Sequence, residues 1–439
     1  MKKAKYAIWI VAVAIVAAAC TGAKHTDGFV TVEDGVLQRN GVPYRFVGTN
    51  LWYGAMLGSE GQGGNRKRLS KELDLLSSLG ISNVRVLVGA DGSTHTQSLV
   101  WPSLQVEPGV YNDTILAGLD WLMKELGERH MTAVIFLNNA WEWSGGFGQY
   151  LEWAGHSGRK DPAADGYNAY TEYVSRFATD SAAQALFLDH VRFIVGRKNR
   201  YTGCSYSDDP TLMAWQLCNE PRAFGNDSLC RAGFESWISR TAALIKSLDC
   251  NHLVSVGSEG SVGCAMDMAQ YERIHADGNI DYLTVHIWPM NWGWVSREEV
   301  RADSAGQDTA LIRRVIDKTT HYLDEHIALA ERIHKPLVVE EFGYARDGLR
   351  FNLSSSTHAR NTYYKYMLGR LTSSEVSPQF AGINFWAWSG MAHPTHERWQ
   401  PFDDYCGDPA QEEQGLFSVF SSDTTTLHII SAVASQKFH

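Results

Sequence analysis

The sequence carries no excess of basic residues. Its 439 residues include 39 Lys and Arg against 49 Asp and Glu, which gives a net charge of −10 at pH 7. Proteins that bind nucleic acid usually show a basic excess because they neutralise phosphates, so no nucleic-acid partner is expected. The sequence also contains no CxxC or HExxH spacing and no glycine-rich phosphate loop after an early strand. We therefore expect no metal ion and no organic cofactor.

Cysteine is scarce, with seven residues in the whole chain. One of them, Cys20, follows a segment in which three lysines precede an apolar stretch from Tyr6 to Ala19. That stretch is shorter than the roughly 20 residues that span a bilayer, and a positive start with a small-residue end is typical of a secretory signal. The segment resembles a bacterial lipoprotein signal, which implies cleavage before Cys20 and a lipid on its sulfur.

The N-terminal signal predicts where the protein resides and how its chain is divided. We expect an exported protein that is anchored by lipid to a bacterial outer membrane, or that lies in the periplasm or at the cell surface. Plain secretion, with Cys20 discarded, is the alternative. The predicted organisation is a signal peptide over residues 1–20, a tether over 21–28 and a single domain over 29–439, in a monomer.

The other six cysteines could form disulfides, because an exported protein meets an oxidising compartment. Six cysteines allow 15 pairings, and the sequence does not choose among them. Five of the six fall between residues 204 and 264, so we expect any bridges to lie mostly there. The six are Cys204, Cys218, Cys230, Cys250, Cys264 and Cys406.

The chain alternates between apolar runs of strand length and helical patterns. Several runs are almost continuously apolar, as in strands that are buried on both faces. A weakly alternating segment from Phe29 to Arg45, with Asn40-Gly41 as a tight turn, predicts a small ribbon before them. The eight runs are Tyr44–Asn50, Asn83–Val88, Thr132–Asn138, Leu212–Cys218, His252–Gly257, Tyr282–Ile287, Pro336–Phe342 and Phe380–Trp388.

Six segments between these runs have apolar residues spaced by three and four, as amphipathic helices do. Eight strands alternating with helices predict a (β/α)₈ barrel, an α/β fold. An open doubly wound sheet is the alternative. The predicted helices are Arg68–Leu79, Ile115–Arg129, Ala182–Arg197, Glu235–Leu248, Thr309–Ile333 and His358–Leu371.

Two glutamates stand where a predicted strand meets its loop. Glu220 follows the fourth run in the segment WQLCNEPR, and Glu341 ends the seventh in VVEEFGY. A barrel brings the carboxyl ends of its strands to one opening, and two carboxylates in one cleft are the machinery of glycoside hydrolysis. The adjacent Glu340 is a rival to Glu341. Because neighbouring side chains of a strand point to opposite faces, we expect only one of the pair to face the centre.

Tryptophan is abundant, at 15 residues, and several of its positions adjoin Gly, Pro or Asn. Core packing is one interpretation of these residues. The other is that their aromatic faces line a cleft and stack on the C–H faces of sugar rings, which suits an uncharged polysaccharide. Trp52 and Trp141 are candidates for such contacts.

The order NEP after the fourth strand and EFG at the seventh resembles glycoside hydrolase family 5. The segments NEPR, NNAWEWSGGFGQYLEWAG, HIWP and WQPFDDYCGDPAQEEQGLFSVFSSDTT resemble its β-mannanase branch. The resemblance runs from about Phe29 to the C-terminus. It implies a retaining endo-β-1,4-mannanase that attacks mannan, glucomannan or galactomannan.

The resemblance also implies roles for individual residues. Glu220 would be the acid/base and Glu341 the nucleophile, because the family's nucleophile directly precedes an aromatic residue and Gly. Arg85 would favour the ionised nucleophile, and Asn219 would bind the sugar 2-hydroxyl. His286 matches an active-site histidine of the family.

Three further positions of the sequence can be compared with the family pattern: two tryptophans and the end of the third strand. Trp386 would form the platform beneath the cleaved sugar. Trp288 stands where the family usually has Tyr, and an indole N–H can donate but not accept a hydrogen bond. The third strand ends in Leu137-Asn138-Asn139, where many cellulases of the family have His.

Two alternatives to the endo-mannanase prediction stay open. The first keeps the fold and changes the specificity, to a cellulase, another β-glucanase, or an exo-acting mannosidase or mannobiohydrolase. The second is a surface lipoprotein that binds glycan in the cleft without turnover.

Overall fold

The computed structural model describes residues 27–93 and 98–436. The predicted signal peptide 1–20, with the lipid site Cys20, lies outside these residues, as does most of the predicted tether 21–28. No helix within the described ranges is both long enough and apolar enough to cross a membrane.

Eight parallel strands form a nearly closed barrel, which confirms the predicted fold class. Counted along the chain, the strands follow one another around the barrel in the order fifth, fourth, third, second, first, eighth, seventh and sixth. Each strand lies within the run predicted for it, because these runs are apolar enough to be buried on both faces. The strands are β1 Phe46–Asn50, β2 Asn83–Leu87, β3 Thr132–Phe136, β4 Leu212–Gln216, β5 Leu253–Ser255, β6 Leu283–Ile287, β7 Leu337–Phe342 and β8 Phe380–Phe385.

The barrel closes between β5 and β6 without a regular ladder. The Asp281 N–H donates to Val254 O at 2.8 Å. The Val254 N–H in turn donates to Asp281 Oδ2 at 2.7 Å. Further along, Thr284 Oγ1 donates to Ser258 O at 2.9 Å. Side chains thus complete the hydrogen bonding that the backbones leave open.

A β-bulge interrupts the pairing of β6 with β7. Val285 faces Val339, but the next residue, His286, faces Glu341, so Glu340 is an extra residue in β7. A bulge breaks the alternation of side chains along a strand. Both Glu340 and Glu341 are buried within ion-pair distance of Arg85. The expectation that only one of the pair faces the centre is therefore wrong, because the bulge re-aims Glu340.

The six predicted helices are all present among the thirteen α-helices of residues 27–93 and 98–436. The helix predicted from Glu235 begins two turns earlier, at Ser228. The Asp227 side chain is its N-cap and accepts from the Cys230 N–H at 2.9 Å. In chain order the helices are α1 Gly54–Leu57, α2 Arg66–Ser78, α3 Asp113–Glu128, α4 Gly146–Trp153, α5 Pro162–Asp165, α6 Tyr167–Val174, α7 Ser181–Val195, α8 Ser228–Leu248, α9 Met268–His275, α10 Arg297–Ala302, α11 Thr309–Ile333, α12 His358–Leu371 and α13 Thr424–Ala434.

The predicted N-terminal ribbon has three short antiparallel strands, Val30–Glu33, Val36–Arg39 and Val42–Pro43. The Asn40-Gly41 turn is confirmed, with positive φ at both residues. The prediction missed a second two-residue turn of this kind, at residues 34–35. Asn and Asp tolerate this backbone better than other non-glycine residues, which is why such pairs join hairpin strands.

The ribbon covers the N-terminal end of the barrel. Val30 and Leu37 from the ribbon pack in one buried cluster with Phe46, Val134 and Met213 from the barrel strands. Two other two-stranded pairs lie in connecting segments, Gln105–Glu107 with Val110–Tyr111 and Trp388–Gly390 with Val419–Phe420. The opposite end of the barrel, where the strands end, is left for a site.

The expected stapling by disulfides is not found for five of the cysteines. Cys204, Cys218, Cys230, Cys264 and Cys406 are free thiols in the part of the chain that the structure describes. Burial raises the pKa of the Cys218 and Cys264 thiols, which favours the neutral form. They pack as small apolar side chains of the core instead of as cross-links.

Helices α1 and α3 touch through glycine. A Cβ on Gly118 of α3 would overlap the carbonyl oxygen of Ala55 in α1, which belongs to the backbone and cannot swing away. Helix α1 follows the first strand, so this contact supports the loop between Asn50 and Gly54. Gly369 in α12 is the contrasting case, since a Cβ there would meet nothing within 4 Å.

Gly118→Ala should destabilise the fold while Gly369→Ala should not. We expect the first substitution to lower the free energy of unfolding by about 1–3 kcal/mol, because the helices must separate. The second should raise it by about 0.4–1 kcal/mol, since alanine restricts the unfolded chain more than glycine does. Urea unfolding of both variants beside the parent measures the difference. Equal stability of the two variants would contradict the close α1–α3 contact.

Candidate active site

A cavity of about 480 Å³ opens at the carboxyl ends of the barrel strands. That is where barrel enzymes build their sites, from the loops that follow the strands. Most of the predicted site residues line it. They are Trp141, Asn219, Glu220, Trp288, Glu341 and Trp386.

Glu220 lies in the loop after β4 with a strained backbone. Its φ is +48°, in the left-handed region that non-glycine residues rarely adopt. The Glu220 N–H donates to Gly257 O at 2.9 Å, in the loop after β5, and this bond holds the conformation. The carboxylate accepts from His286 Nδ1 at 2.8 Å and from Trp141 Nε1 at 2.6 Å. Strain of this kind often accompanies functional positions.

Glu341 lies near the end of β7, across the cavity from Glu220. Its Oε1 is 2.5 Å from Arg85 Nη1, and its Oε2 accepts from Trp288 Nε1 at 3.2 Å. His286 Nδ1 is 3.3 Å from Oε2 as well. Oxygens of the two carboxylates approach within 4.8 Å of each other. The barrel therefore brings together two glutamates that are far apart in the sequence.

Arg85 is fully buried and ties Glu341 to the surrounding strands. Its Nε donates to Gln216 Oε1 at 2.8 Å, and its Nη1 donates to Asn50 Oδ1 at 3.0 Å. Its Nη2 donates to Asn219 Oδ1 at 2.7 Å. A buried guanidinium that is paired and hydrogen-bonded at every nitrogen has a fixed orientation. The Arg85 network thus positions both Glu341 and Asn219.

His286 carries a proton between the two carboxylates. Burial alone would lower its pKa, but the charge of Glu341, the hydrogen bond to Glu220 and the nearby Glu340 carboxylate raise the pKa of His286 to about 9. The imidazole is therefore a cation near neutral pH, and its Nδ1 faces both Glu220 and Glu341.

The pKa of Glu341 is higher than that of Glu220. A general acid at Glu220 that is protonated at rest would require the opposite order. Burial raises the pKa of Glu341 to about 7, against the lowering effects of His286 and Arg85. At Glu220, burial is outweighed by the His286 proton and by Arg222, so the pKa of Glu220 lies below its ordinary value. The proton that an acid at Glu220 would deliver thus rests on His286 Nδ1, one hydrogen bond away.

The two remaining predicted tryptophans of the strand ends meet in the cavity wall. Trp288 and Trp386 pack edge to face, with ring centroids 6.0 Å apart. Trp288 occupies the position where the family usually has Tyr. Its indole N–H supplies a hydrogen-bond donor to Glu341, so the donor function of that position is kept.

Trp52 does not line the cavity, which corrects its predicted substrate contact. Its indole N–H donates to Gly407 O at 2.7 Å, and only 2% of the residue is exposed. Its ring packs edge-on against Trp143, which does line the cavity. Trp52 therefore supports the wall from behind, since the segment that contains Gly407 covers it.

Sequence reasoning missed several charged residues of the cavity. Arg222 and Glu259 form an ion pair with two contacts of 2.6 Å, and the Arg222 guanidinium lies over the Trp141 ring at 5.1 Å. Arg222 ends the quoted NEPR motif, and Glu259 follows a predicted strand, so both carried a signal. Glu142 lies in the segment NNAWEWSGGFGQYLEWAG and Glu412 in WQPFDDYCGDPAQEEQGLFSVFSSDTT, which indicated the family but singled out neither residue.

One group of side chains in the described ranges could hold a metal ion. Donor atoms of Glu220, His286 and Glu341 lie within 4.8 Å of one another. His286 Nδ1 already faces Glu220 Oε1 at 2.8 Å, and Arg85 pairs with Glu341 Oε1. Hydrogen bonds and an ion pair thus account for the arrangement without further ligands.

The family described as "GH family 5 beta-mannosidase-like" matches residues 27–439. The chain is 29% identical over 380 residues to mannan endo-1,4-beta-mannosidase 7 of Arabidopsis thaliana, which covers 83% of this chain and 79% of that protein.

Solved structures give the same family. The glycoside hydrolase family 5 mannosidase of Rhizomucor miehei superposes with a TM-score of 0.84 at 32% identity, over 94% of this chain and 98% of that one. A mutant of that enzyme was solved in complex with mannosyl-fructose, with the same TM-score and identity over 94% of this chain and 97% of that one. The endo-beta-1,4-mannanase of Thermotoga petrophila shares the fold. Its identity is 22% and its TM-score 0.64, over 90% of this chain and 77% of that one.

The family match spans almost all of the chain beyond the N-terminal segment and agrees with the paired glutamates at the ends of β4 and β7. The chain therefore belongs to glycoside hydrolase family 5 and is a glycoside hydrolase.

Proposed function

We propose that this chain hydrolyses internal β-1,4-mannosidic bonds of mannan, glucomannan or galactomannan with retention of configuration. The observation that carries the mechanism is the approach of the Glu220 and Glu341 oxygens to within 4.8 Å. Retaining glycosidases hold their carboxyl groups about 5–5.5 Å apart, whereas inverting enzymes need about 6.5–9.5 Å for a water molecule.

In the first step, Glu341 attacks the anomeric carbon and the glycosidic C–O bond breaks. The His286 proton passes to Glu220 along their 2.8 Å hydrogen bond, and Glu220 delivers it to the leaving oxygen. Arg85 and the Trp288 N–H keep the Glu341 carboxylate oriented for attack. The product of this step is a glycosyl ester on Glu341.

In the second step, water breaks the ester. Glu220 accepts a proton from the attacking water, which adds to the anomeric carbon and releases Glu341. The proton returns along the same hydrogen bond to His286, so the site regains its resting charge. Asn219, held by Arg85, is the proposed partner of the sugar 2-hydroxyl, and Trp386 is the proposed platform for the ring.

Two observations support mannan as the substrate. The curated relative from Arabidopsis is named for endo-acting mannan hydrolysis. Aromatic walls such as Trp141, Trp288 and Trp386 suit the C–H faces of uncharged sugars.

An exo-acting β-mannosidase is the second candidate. It is favoured by the Rhizomucor miehei mannosidase, which has a higher identity and TM-score than the Thermotoga endo-mannanase. The size of the products separates the two activities.

We also propose that the protein is exported and carries a lipid on Cys20. The first described residues lie at the N-terminal end of the barrel, where the Gly28 N–H donates to Asn40 Oδ1 of the ribbon. The cavity opens at the other end. An anchor on Cys20 would therefore join the domain on the side away from the cavity and leave the cavity open to large substrates.

Glu341→Ala should abolish hydrolysis of mannan and keep binding of manno-oligosaccharides. We expect a loss of activity on the order of 10³-fold or more, because no ester can form. Chromatography of products from linear mannan, glucomannan, carboxymethyl cellulose and xylan measures both activity and specificity. Glu298→Ala, at an exposed position on α10, is the matched control and should behave like the parent.

The product pattern tests the proposed specificity. Mixed manno-oligosaccharides from mannan support endo action, and a single small product supports the exo-acting candidate. Cleavage of the cellulose derivative alone would overturn the assignment to mannan. Activity that survives in Glu341→Ala would remove this residue as the nucleophile.

The pH profile of kcat/KM should have an acidic limb set by Glu341 and an alkaline limb set by His286. Protonation of Glu341, whose pKa is raised to about 7, removes the nucleophile, so kcat/KM on oligosaccharides should fall below about pH 7. Loss of the His286 proton, with a pKa of about 9, should reduce kcat/KM above that pH. Glu220→Ala on an aryl mannoside with a good leaving group should lose the alkaline limb. A parent profile whose acidic limb lies at the ordinary glutamate pKa would contradict the assignment.

Cys20→Ala should release the protein from membranes. A lipid cannot attach to alanine, so the variant should move from the membrane fraction to the soluble fraction when the cells are broken and centrifuged. Cys204→Ala, at a half-buried position far along the chain, is the matched control and should stay in the membrane fraction. Retention of Cys20→Ala on membranes would rule out this anchor.

A further inference from the structure

Glu340 is a third carboxylate buried beside the two glutamates of the cavity. It is completely buried and is the extra residue of the β7 bulge. A mechanism with two carboxylates does not need it. Because burying a charge is costly unless partners compensate, the position of Glu340 calls for a function.

The Glu340 carboxylate is held from several strands. Its Oε2 accepts from Gln216 Nε2 at 2.6 Å, and its Oε1 accepts from Tyr282 Oη at 3.2 Å. Arg85 Nε lies 3.6 Å from Oε2. These contacts fix the carboxylate below Glu341, toward the barrel interior.

His286 stands between Glu340 and the cavity. Its Nδ1 faces Glu220 and Glu341, and its Nε2 lies 3.9 Å from Glu340 Oε2. Nε2 is buried and makes no hydrogen bond to any residue that the structure describes. The positive charge of a protonated imidazole at this nitrogen is therefore balanced by Glu340 rather than by solvent.

The groups around His286 come from four loops or strands. Glu220 follows β4, and Glu340 and Glu341 belong to β7. The backbone carbonyl of Glu259, after β5, accepts from the His286 backbone N–H at 3.3 Å, and the Glu259 carboxylate is paired with Arg222. Arg85 of β2 is the opposing cation, and it contacts both β7 carboxylates.

We propose that Glu340 is a positioning residue that keeps His286 protonated, so that a proton is always available to Glu220. The inference rests on the proposed retaining mechanism. The proton leaves His286 Nδ1 for Glu220 and passes to the leaving oxygen; in the second half it passes from water through Glu220 back to His286. No proton is gained or lost over a cycle. Glu340 itself touches neither substrate nor the reacting atoms.

Glu340→Gln tests the inference, because it removes the charge and keeps the shape. We expect the alkaline limb of kcat/KM to move to lower pH by about one unit or more, as expected when an opposite charge near a histidine is lost. NMR titration of the labelled His286 imidazole, assigned by its absence in His286→Asn, should show the same downward shift. The acidic limb should move less, since Arg85 still pairs with Glu341.

Two control variants separate charge from packing. Tyr282→Phe removes the hydroxyl that donates to Glu340 but keeps its charge, so the His286 titration should stay near that of the parent. Glu340→Asp restores the charge and should return the titration toward the parent value. Thermal unfolding of each variant shows whether it is folded at the pH values used.

An unchanged His286 titration in folded Glu340→Gln would overturn the inference. A shift of equal size in Tyr282→Phe would also overturn it, because packing would then be the cause. If Glu340→Gln does not fold, Glu340→Ala, which also removes the charge, decides: its His286 titration must move to lower pH. The NMR readout does not depend on turnover, so a protein without mannanase activity would refute the proposed function and leave the Glu340–His286 relation measurable.

Discussion

The site depends on one buried cation, Arg85, which lies at the centre of the barrel without contact with solvent. A lone guanidinium in such a place would be strongly destabilising, so its neighbours must supply charge and acceptors. Glu341 supplies the charge, and Asn50, Gln216 and Asn219 supply the acceptors. These partners come from strands β1, β4 and β7 and from the loop after β4. The electrostatic requirement of a single side chain thus determines how the ends of several strands are arranged.

Two departures from regular barrel geometry lie beside the site. Glu220 has a left-handed backbone, and Glu340 is an extra residue in β7. The first turns a carboxylate into the cavity, and the second adds a carboxylate below His286. Each distortion has a cost of its own, which the surrounding packing and hydrogen bonds must offset. The imidazole of His286 then lies between two carboxylates, with Glu220 at its Nδ1 and Glu340 beyond its Nε2.

The two ends of the barrel have different roles: one is packed closed and the other forms the cavity. The N-terminal end is covered by the ribbon, whose Val30 and Leu37 complete an apolar cluster. The C-terminal end carries long loops rich in aromatic residues, which form the cavity walls. Trp52 shows that such aromatics have two uses, because it packs behind Trp143 rather than facing the cavity. Aromatic content in a loop therefore predicts a wall, but not which side of the wall a ring occupies.

The sequence by itself determined the eight strands, the six long helices, the family and the pair Glu220 and Glu341. Each of these corresponds to a pattern in the local sequence, such as an apolar run, apolar residues spaced by three and four, or a motif at the end of a strand. Only the tertiary structure decided the bulge at Glu340, the packing of Trp52, the free thiols of the five cysteines and the contribution of Glu412 to the cavity. Strand register and side-chain burial depend on contacts between residues that are distant in the chain. No local pattern records such contacts, which is why alternation along β7 predicted the wrong direction for Glu340.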